Sequence, residues 1–169
     1  MTERLCLRAL RVEDFDAYLA LRRDPRVMPK GAPESREEVW FRLLRAAGHW
    51  AVLGFGYWAI VERDGGAFVG EAGFADYRRD VTPSLEGTAE AGWMIAADCQ
   101  GRGYAGEAVA AMLAWAAGSV PLQRATCMID VGNAPSVAVA RRAGFSPYAE
   151  TSYKDAPVIL FERPLRSES

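Results

Sequence analysis

The sequence predicts a mixed αβ fold with a largely antiparallel sheet. A hairpin signal, Asp-Gly-Gly at residues 64–66, separates two strand-like segments, and strand and helix patterns alternate in the second half of the chain. A glycine-rich turn at residues 100–107 joins an apolar strand pattern to a strongly helical segment. With 169 residues the chain has the length of one domain, which we assign to residues 1–165, followed by a polar tail at 166–169.

Strands are predicted where apolar residues alternate or run together between turn residues. Seven segments fit this description: residues 5–10, 57–62, 67–77, 88–97, 125–131, 148–153 and 158–162. The first of the two hairpins lies on either side of residues 64–66, and the last two strands form the second hairpin.

Helices are predicted where apolar residues recur at helical spacing between capping signals. Four segments qualify: residues 12–23, 35–47, 103–117 and 135–143. Ser35 and Glu38 form a capping-box pattern at the start of the second helix, and we expect Gly48 to end it. Gly144 is predicted to close the fourth helix as a C-terminal cap.

The composition argues against several classes of protein. The formal net charge of −2 does not suit a nucleic-acid binder, which carries a concentrated basic face. The three cysteines, Cys6, Cys99 and Cys127, form no disulfide framework, and the single histidine, His49, does not support a zinc site. No apolar run approaches the roughly 20 residues that cross a bilayer. We therefore expect a cytoplasmic protein without metal, membrane or nucleic-acid partners.

The turn at residues 100–107 predicts an anion site. Small residues between a strand and a helix leave first-turn amides uncovered, where the helix dipole is positive. A P-loop would need Gly-Lys-Ser or Gly-Lys-Thr, which the chain lacks. The glycines at 101, 103 and 106 match the letters of a dinucleotide fingerprint, but the acid expected about 20 residues later is missing. The pyrophosphate of coenzyme A is the third ligand class that uses such turns, and a tight structural turn without a ligand is the alternative role of these glycines.

The same turn resembles a motif of a known family. Gln100-x-x-Gly103-x-Ala105 is similar to the Q/R-x-x-G-x-G/A motif of the GNAT family of N-acetyltransferases. Other segments resemble the RimJ/RimL subgroup, which acetylates ribosomal-protein N-termini. They are residues 2–8 with Asp14, residues 90–95, residues 104–108 and residues 133–145. The resemblance implies the GNAT fold, a sheet of about seven strands flanked by about four helices.

The resemblance also implies acetyl-CoA as co-substrate and assigns residues to it. Backbone amides of the loop would hold the pyrophosphate, from Gln100, Gly101, Arg102, Gly103, Tyr104 and Ala105. The pantetheine arm would pair with the end of the central strand, at Met94, Ile95, Ala96 and Ala97. Asn133 would bond the pantetheine or its own loop, and its alternative role is a local Asx turn.

Direct transfer of an acetyl group to an amine needs a base for the ammonium and an acid for the leaving thiolate. Glu90 occupies the position of the family's base, and Glu71 is its rival. The alternative role of Glu90 is that of an exposed strand residue or a structural ion pair. Many relatives use a tyrosine as the acid, but Ala140 stands at that position. Ser136 is the candidate acid instead, and its alternative role is helix capping.

The expected function is an acetyl-CoA-dependent N-acetyltransferase acting on a primary amine, either a protein N-terminus or a small molecule. The first two helices and the loops at 28–33, 78–87 and 148–157 should select the acceptor. A homodimer is expected by analogy with such folds. The alternatives are a catalytically weak acyl-CoA-binding sensor or partner-binding module and, more distantly, a dinucleotide-binding protein.

Overall fold

The computed structural model describes residues 1–29 and 32–166. These residues form seven strands: β1 Leu5–Ala9, β2 Tyr57–Glu62, β3 Phe68–Ala75, β4 Ala89–Ile95, β5 Arg124–Asp130, β6 Ser146–Tyr153 and β7 Ala156–Pro164. They also form four α-helices: α1 Phe15–Arg23, α2 Arg36–Leu53, α3 Tyr104–Ser119 and α4 Ala134–Arg142. Both numbers agree with the prediction from the sequence.

The strands make one sheet in the order β1-β2-β3-β4-β5-β7-β6. Antiparallel pairing joins β1 to β2, β2 to β3, β5 to β7 and β6 to β7. The pairing of β4 with β5 is parallel and comprises Ala89 with Ala125 and Glu90 with Thr126. The predicted mixed, mainly antiparallel sheet is therefore confirmed, and so is the hairpin that joins β2 to β3.

The chain divides into two compact units, each with apolar packing of its own. The first comprises Met1–Gly73 and Trp93–Ala111, and in it buried residues of α1 pack against Val39 and Leu43 of α2. The second contains residues 74–92 and 112–166, and in it Val81 and Leu85 pack against buried residues of β7. No helix in the described part of the chain is long and apolar enough to cross a membrane.

One predicted loop and the predicted C-terminal tail fall partly on residues that the structure does not describe. Residues 30 and 31 of the predicted loop 28–33 and residues 167–169 of the predicted tail lie outside the described residues.

Helix α2 is longer than the sequence predicted. Its start is confirmed, because Ser35 Oγ accepts from the Glu38 amide and Glu38 Oε2 accepts from the Ser35 amide, at 3.1 and 2.6 Å. The prediction that Gly48 ends it was wrong, since the helix continues to Leu53 and closes at Gly54 with φ 74°. A glycine inside a helix costs only about 1 kcal/mol, whereas a left-handed cap strongly favours glycine.

The pairing of β2 with β3 requires a residue without a side chain at Gly73. A Cβ there would lie 2.3 Å from Gly56 O and 2.4 Å from Tyr57 Cα, both backbone atoms. We predict that Gly73→Ala lowers the free energy of unfolding by about 1–3 kcal/mol, because the strands must separate to admit the methyl group. Urea unfolding measures the loss.

The matched control is Gly118→Ala on α3, where an added Cβ has no heavy atom within 4 Å. Alanine favours the helix, so this variant should gain up to about 1 kcal/mol. A Gly73→Ala protein as stable as the wild type would contradict the close approach of the two strands.

Candidate active site

The glycine-rich loop lies between β4 and the start of α3. Gly101 and Gly103 have φ values of +75° and +82°, in the left-handed region that residues with a Cβ rarely adopt. They turn the chain into the first helical turn at Tyr104, where the leading amides of a helix have no acceptor within it. The loop therefore presents backbone donors at the positive end of a helix dipole.

Side chains hold this loop in place. Gln100 Nε2 donates to Ile95 O at 3.1 Å and ties the loop to the end of β4. The Tyr104 hydroxyl donates to Glu62 Oε1 at 2.8 Å, and Arg102 Nη1 lies 3.6 Å from the same oxygen. The Arg102 side chain is 55% exposed, so it remains accessible to an anion. The predicted pyrophosphate residues 100–105 thus span the loop and the first turn of α3. The Gln100 amide is not available to a ligand, because it donates to Ala97 O at 3.2 Å.

At the end of β4, the backbone N–H and C=O groups of successive residues point toward opposite sides of the strand, and one of these sides faces β3. The Ala96 amide donates to Val69 O at 2.9 Å, and Met94 O lies against Gly70 of β3. Successive strand residues direct their polar groups to opposite edges, so the Ile95 amide faces away from β3. The predicted strand was too long at this end, since β4 stops at Ile95 and Ala97 begins a 3-10 turn, Ala97–Cys99. Of the predicted pantetheine residues, Ile95 therefore offers the amide best placed for a ligand, while the Ala96 amide already has an acceptor.

Glu90 is a buried carboxylate paired with an arginine. Both carboxylate oxygens of Glu90 accept from Arg79 Nε, at 2.9 and 2.8 Å. Glu90 is 7% exposed to solvent. Arg79 also donates to the Tyr153 hydroxyl at 3.1 Å and packs over the rings of Tyr77 and Tyr153. Burial opposes the charge on Arg79, but the bonds to Glu90 outweigh it and raise the pKa of Arg79.

Glu71, the rival base, is buried on β3 in a second charge cluster. Arg22 Nη1 lies 3.4 Å from Glu71 Oε1, and the same guanidinium donates to both oxygens of Glu34. Burial raises the pKa of Glu71, although Arg22 and Tyr18 act in the opposite direction. Glu34 is buried less deeply, and its bonds from Arg22 and Arg42 lower its pKa. Glu71 therefore holds a proton more tightly than an exposed glutamate does.

Asn133 is the N-terminal cap of α4. Its Oδ1 accepts from the Ser136 amide at 3.1 Å, so the cap side chain is Asn133 and not Ser136. Ser136 is half-buried in the first turn, and Ala140, at the position of the family's tyrosine, is fully buried. Glu90, Asn133 and Ser136 belong to the second compact unit, whereas the loop and residues 94–105 belong to the first.

Sequence reasoning missed the arginines that pair with the buried acids. A glutamate within an apolar strand signals that a cation must accompany it, because charged residues are rarely buried alone. That signal does not say which of many arginines is the partner. Arg79 and Arg22 are identified by the structure, as is Arg4, which contacts the loop.

Residues 4–146 match the family model of the acetyltransferase (GNAT) domain. This match covers most of the chain, and the protein belongs to the GNAT acetyltransferase family. It is similar to a GnaT-family acetyltransferase structure from Bordetella pertussis, with 32% identity, 96% and 97% of the two chains covered and a TM-score of 0.86. An acetyltransferase structure from Agrobacterium tumefaciens is 28% identical over 96% and 92% of the chains, with a TM-score of 0.83. The Bacillus subtilis protein YkkB is 28% identical over 96% of this chain and 94% of its own length.

More distant structures share the fold. The ribosomal-protein α-N-acetyltransferase RimL, with coenzyme A bound, is 19% identical over 96% and 95% of the chains, with a TM-score of 0.77. A variant of the spermidine N-acetyltransferase SpeG from Vibrio cholerae is 17% identical over 95% and 94%, with a TM-score of 0.71. At these identities the likeness establishes the fold, and membership of the RimJ/RimL subgroup stays a prediction.

The ion pair of Arg79 with Glu90 predicts a large loss of stability when the cation is removed. Arg79→Met leaves a buried carboxylate without its partner, and we expect the free energy of unfolding to fall by about 3–5 kcal/mol. The control Arg124→Met removes a pair with Glu162 whose side chains are 44% and 35% exposed, and should cost less than about 1 kcal/mol. Equal losses in urea unfolding would contradict the buried character of the first pair.

The raised pKa of Glu71 predicts a stability that falls as pH rises. The folded state binds this proton more tightly than the unfolded state, whose pKa is near the ordinary value of 4.5. Relative to Glu71→Gln, the wild type should therefore lose stability as pH rises from that value through the higher folded pKa. Urea unfolding of both proteins at acidic and neutral pH gives the difference.

Glu34→Gln serves as the control of opposite sign. The folded pKa of Glu34 is lowered, so its contribution is present above the unfolded pKa and lost as pH falls through the folded one. Relative to this variant the wild type should gain stability with pH. The same trend in both comparisons would show that Glu71 is not desolvated as described.

Proposed function

We propose that this protein is an acetyl-CoA-dependent N-acetyltransferase that moves the acetyl group directly to a primary amine in a ternary complex. The observation that carries the proposal is the loop before α3, in a chain of the GNAT family. Two left-handed glycines and the first-turn amides suit a pyrophosphate, and the exposed Arg102 adds positive charge.

The end of β4 would hold the pantetheine arm. The Ile95 amide faces away from β3 and can donate to an amide-bearing ligand as an added strand does. An amide in this position can also polarise the thioester carbonyl, which gains negative charge when the amine attacks. The main hydrogen-bond donor to the pantetheine arm would then be the Ile95 amide. The arm would also contact Met94, Ala96 and Ala97.

The reaction moves two protons. The amine nitrogen bonds to the carbonyl carbon as the carbon–sulfur bond breaks, so the ammonium must lose a proton and the thiolate must gain one. Glu90 is our candidate base and Ser136 our candidate acid. Arg79 fills part of the acceptor capacity of Glu90, so we assign Glu90 a proton transfer through water.

The acceptor is proposed as an amine on a protein N-terminus or on a small molecule. RimL and SpeG, which share this fold, are named for a ribosomal-protein α-amine and for spermidine. The loop at residues 76–88, between β3 and β4, would select between such amines together with helices α1 and α2.

One observation favours a second candidate function. Both oxygens of Glu90 are bonded to Arg79, an arrangement typical of a structural ion pair. If that pair never engages a reacting amine, the protein is a catalytically weak acyl-CoA-binding module that senses acyl-CoA or binds a partner.

A binding titration and a thiol-release assay separate these functions. The wild type is titrated with acetyl-CoA and then assayed against N-terminal peptides, amino acids and polyamines. Coenzyme A release with at least one amine supports the transferase, and tight binding without turnover supports the sensor. Absence of acetyl-CoA binding would refute both, and a comparison with NAD would then test the dinucleotide alternative.

Substitution of the two candidate bases should separate their roles. We predict that Glu90→Gln lowers kcat by about 100-fold or more while acetyl-CoA binding is unchanged, because glutamine still accepts from Arg79 but takes up no proton. Near-wild-type turnover with an unshifted pH profile would remove Glu90 as the base, and a matching loss of kcat in Glu71→Gln would assign that role to Glu71.

Ser136→Ala, assayed beside these variants, should lower kcat at unchanged acetyl-CoA affinity if Ser136 is the acid.

A further inference from the structure

The segment before β1 is bonded to the first turn of α3 through Glu107. Glu107 Oε1 accepts from the Thr2 hydroxyl at 2.5 Å and from the Arg4 amide at 3.0 Å. Its Oε2 accepts from Arg4 Nε at 2.7 Å and lies 2.6 Å from Arg4 Nη2. Four contacts therefore converge on one carboxylate, and all of them come from residues 2–4.

Arg4 also reaches the glycine-rich loop. Its Nη1 donates to Arg102 O at 2.9 Å, and its guanidinium lies over the Tyr104 ring, 4.8 Å from the centroid. A Cβ added at Gly103 would lie 3.5 Å from Arg4 Nη2. One guanidinium thus contacts the loop, the first residue of the helix and the carboxylate one turn further on.

The bond to Arg102 O fixes the direction of the next amide. In a planar trans peptide the carbonyl of one residue and the N–H of the following residue point in opposite directions. Because Arg4 holds the Arg102 carbonyl, the Gly103 N–H must point away from Arg4. Gly103, with φ +82°, adopts the left-handed conformation that this turn requires.

The ion pair of Arg4 with Glu107 also balances a negative charge that would oppose a bound anion. A carboxylate in the first turn of a helix repels a bound anion, although it suits the helix dipole. Burial acts to raise the pKa of Glu107, but bonds from Thr2 and Arg4 outweigh it and the pKa is lowered. Glu107 is thus ionised at neutral pH, and Arg4 balances its charge.

We propose that Arg4 and Glu107 are positioning residues that set the loop for a diphosphate group. Arg4 orients the peptide between residues 102 and 103, and Glu107 holds Arg4 in place. The inference rests on the proposed function, because it takes the diphosphate of coenzyme A as the ligand. Neither residue is assigned a contact with that ligand.

The test compares coenzyme A with pantetheine, which lacks the diphosphate. In Arg4→Met the affinity for coenzyme A should fall by about tenfold or more, as expected for losing one oriented bond to a charged group. Affinity for pantetheine should not change. Arg4→Lys keeps the charge but lacks the planar fork that bridges Arg102 O and Glu107, so it should also weaken coenzyme A selectively.

The matched control is Arg63→Met. Arg63 Nη1 donates to Thr2 O and Glu3 O, both at 3.1 Å, so it fixes the same segment at sites away from the loop. This variant should bind coenzyme A as the wild type does, and urea unfolding shows whether each variant folds. If Arg4→Met is unfolded, Arg4→Lys carries the comparison.

Unchanged coenzyme A affinity in both Arg4 variants would overturn the inference, and so would an equal loss of affinity for pantetheine. A loss in Arg63→Met as large as in Arg4→Met would also overturn it, because general loosening of the segment would then suffice. Failure of the wild type to bind coenzyme A would instead refute the proposed function, so the two failures are distinguishable.

Discussion

The unsatisfied amides at the start of α3 are the constraint on which the surrounding residues depend. In α2 and α4 one first-turn amide donates to a capping side chain, Glu38 N to Ser35 and Ser136 N to Asn133. Helix α3 is preceded by Gly103, which has no side chain to accept from the first-turn amides of α3. Glu107, the acid within its first turn, is bonded by Thr2 and Arg4 instead. These amide donors suit an external anion, and coenzyme A is the anion that we propose.

Two buried glutamates show different solutions to the cost of burying charge. Glu90 has both oxygens on one guanidinium at 2.8–2.9 Å, whereas Glu71 has one oxygen 3.4 Å from an arginine that it shares with Glu34. Burial raises the pKa of Glu71, and the more distant Arg22 opposes this only in part. An ionised carboxylate has about four acceptor positions, so Arg79 leaves about two of them for water at Glu90. Proton transfer through water is therefore compatible with an intact ion pair.

The elements were predictable because each strand and helix carries its own pattern of apolar residues. The end of α2 was not, since Gly48 and Gly54 look alike in sequence and only the second adopts the left-handed conformation. The loop residues 100–105 were identified through the family motif, and the structure adds the direction of the Gly103 amide. The partners of the charged residues depend on topology: Arg4 and Glu107 are 103 positions apart, and no local pattern connects them.

The edge strand and the loop meet in one corner of the first compact unit. Leu5 of β1 pairs with Glu62 of β2, and Glu62 accepts from Tyr104 and lies near Arg102. Arg4, beside Leu5, contacts the same loop from the N-terminal segment. An edge strand has a partner on one side only, so these side-chain bonds add to what holds β1 in the sheet. Because binding and folding are linked, a ligand that requires this loop geometry also stabilises the attachment of β1. The attachment of residues 2–9 to the sheet and the affinity of the loop for its ligand then depend on the same contacts.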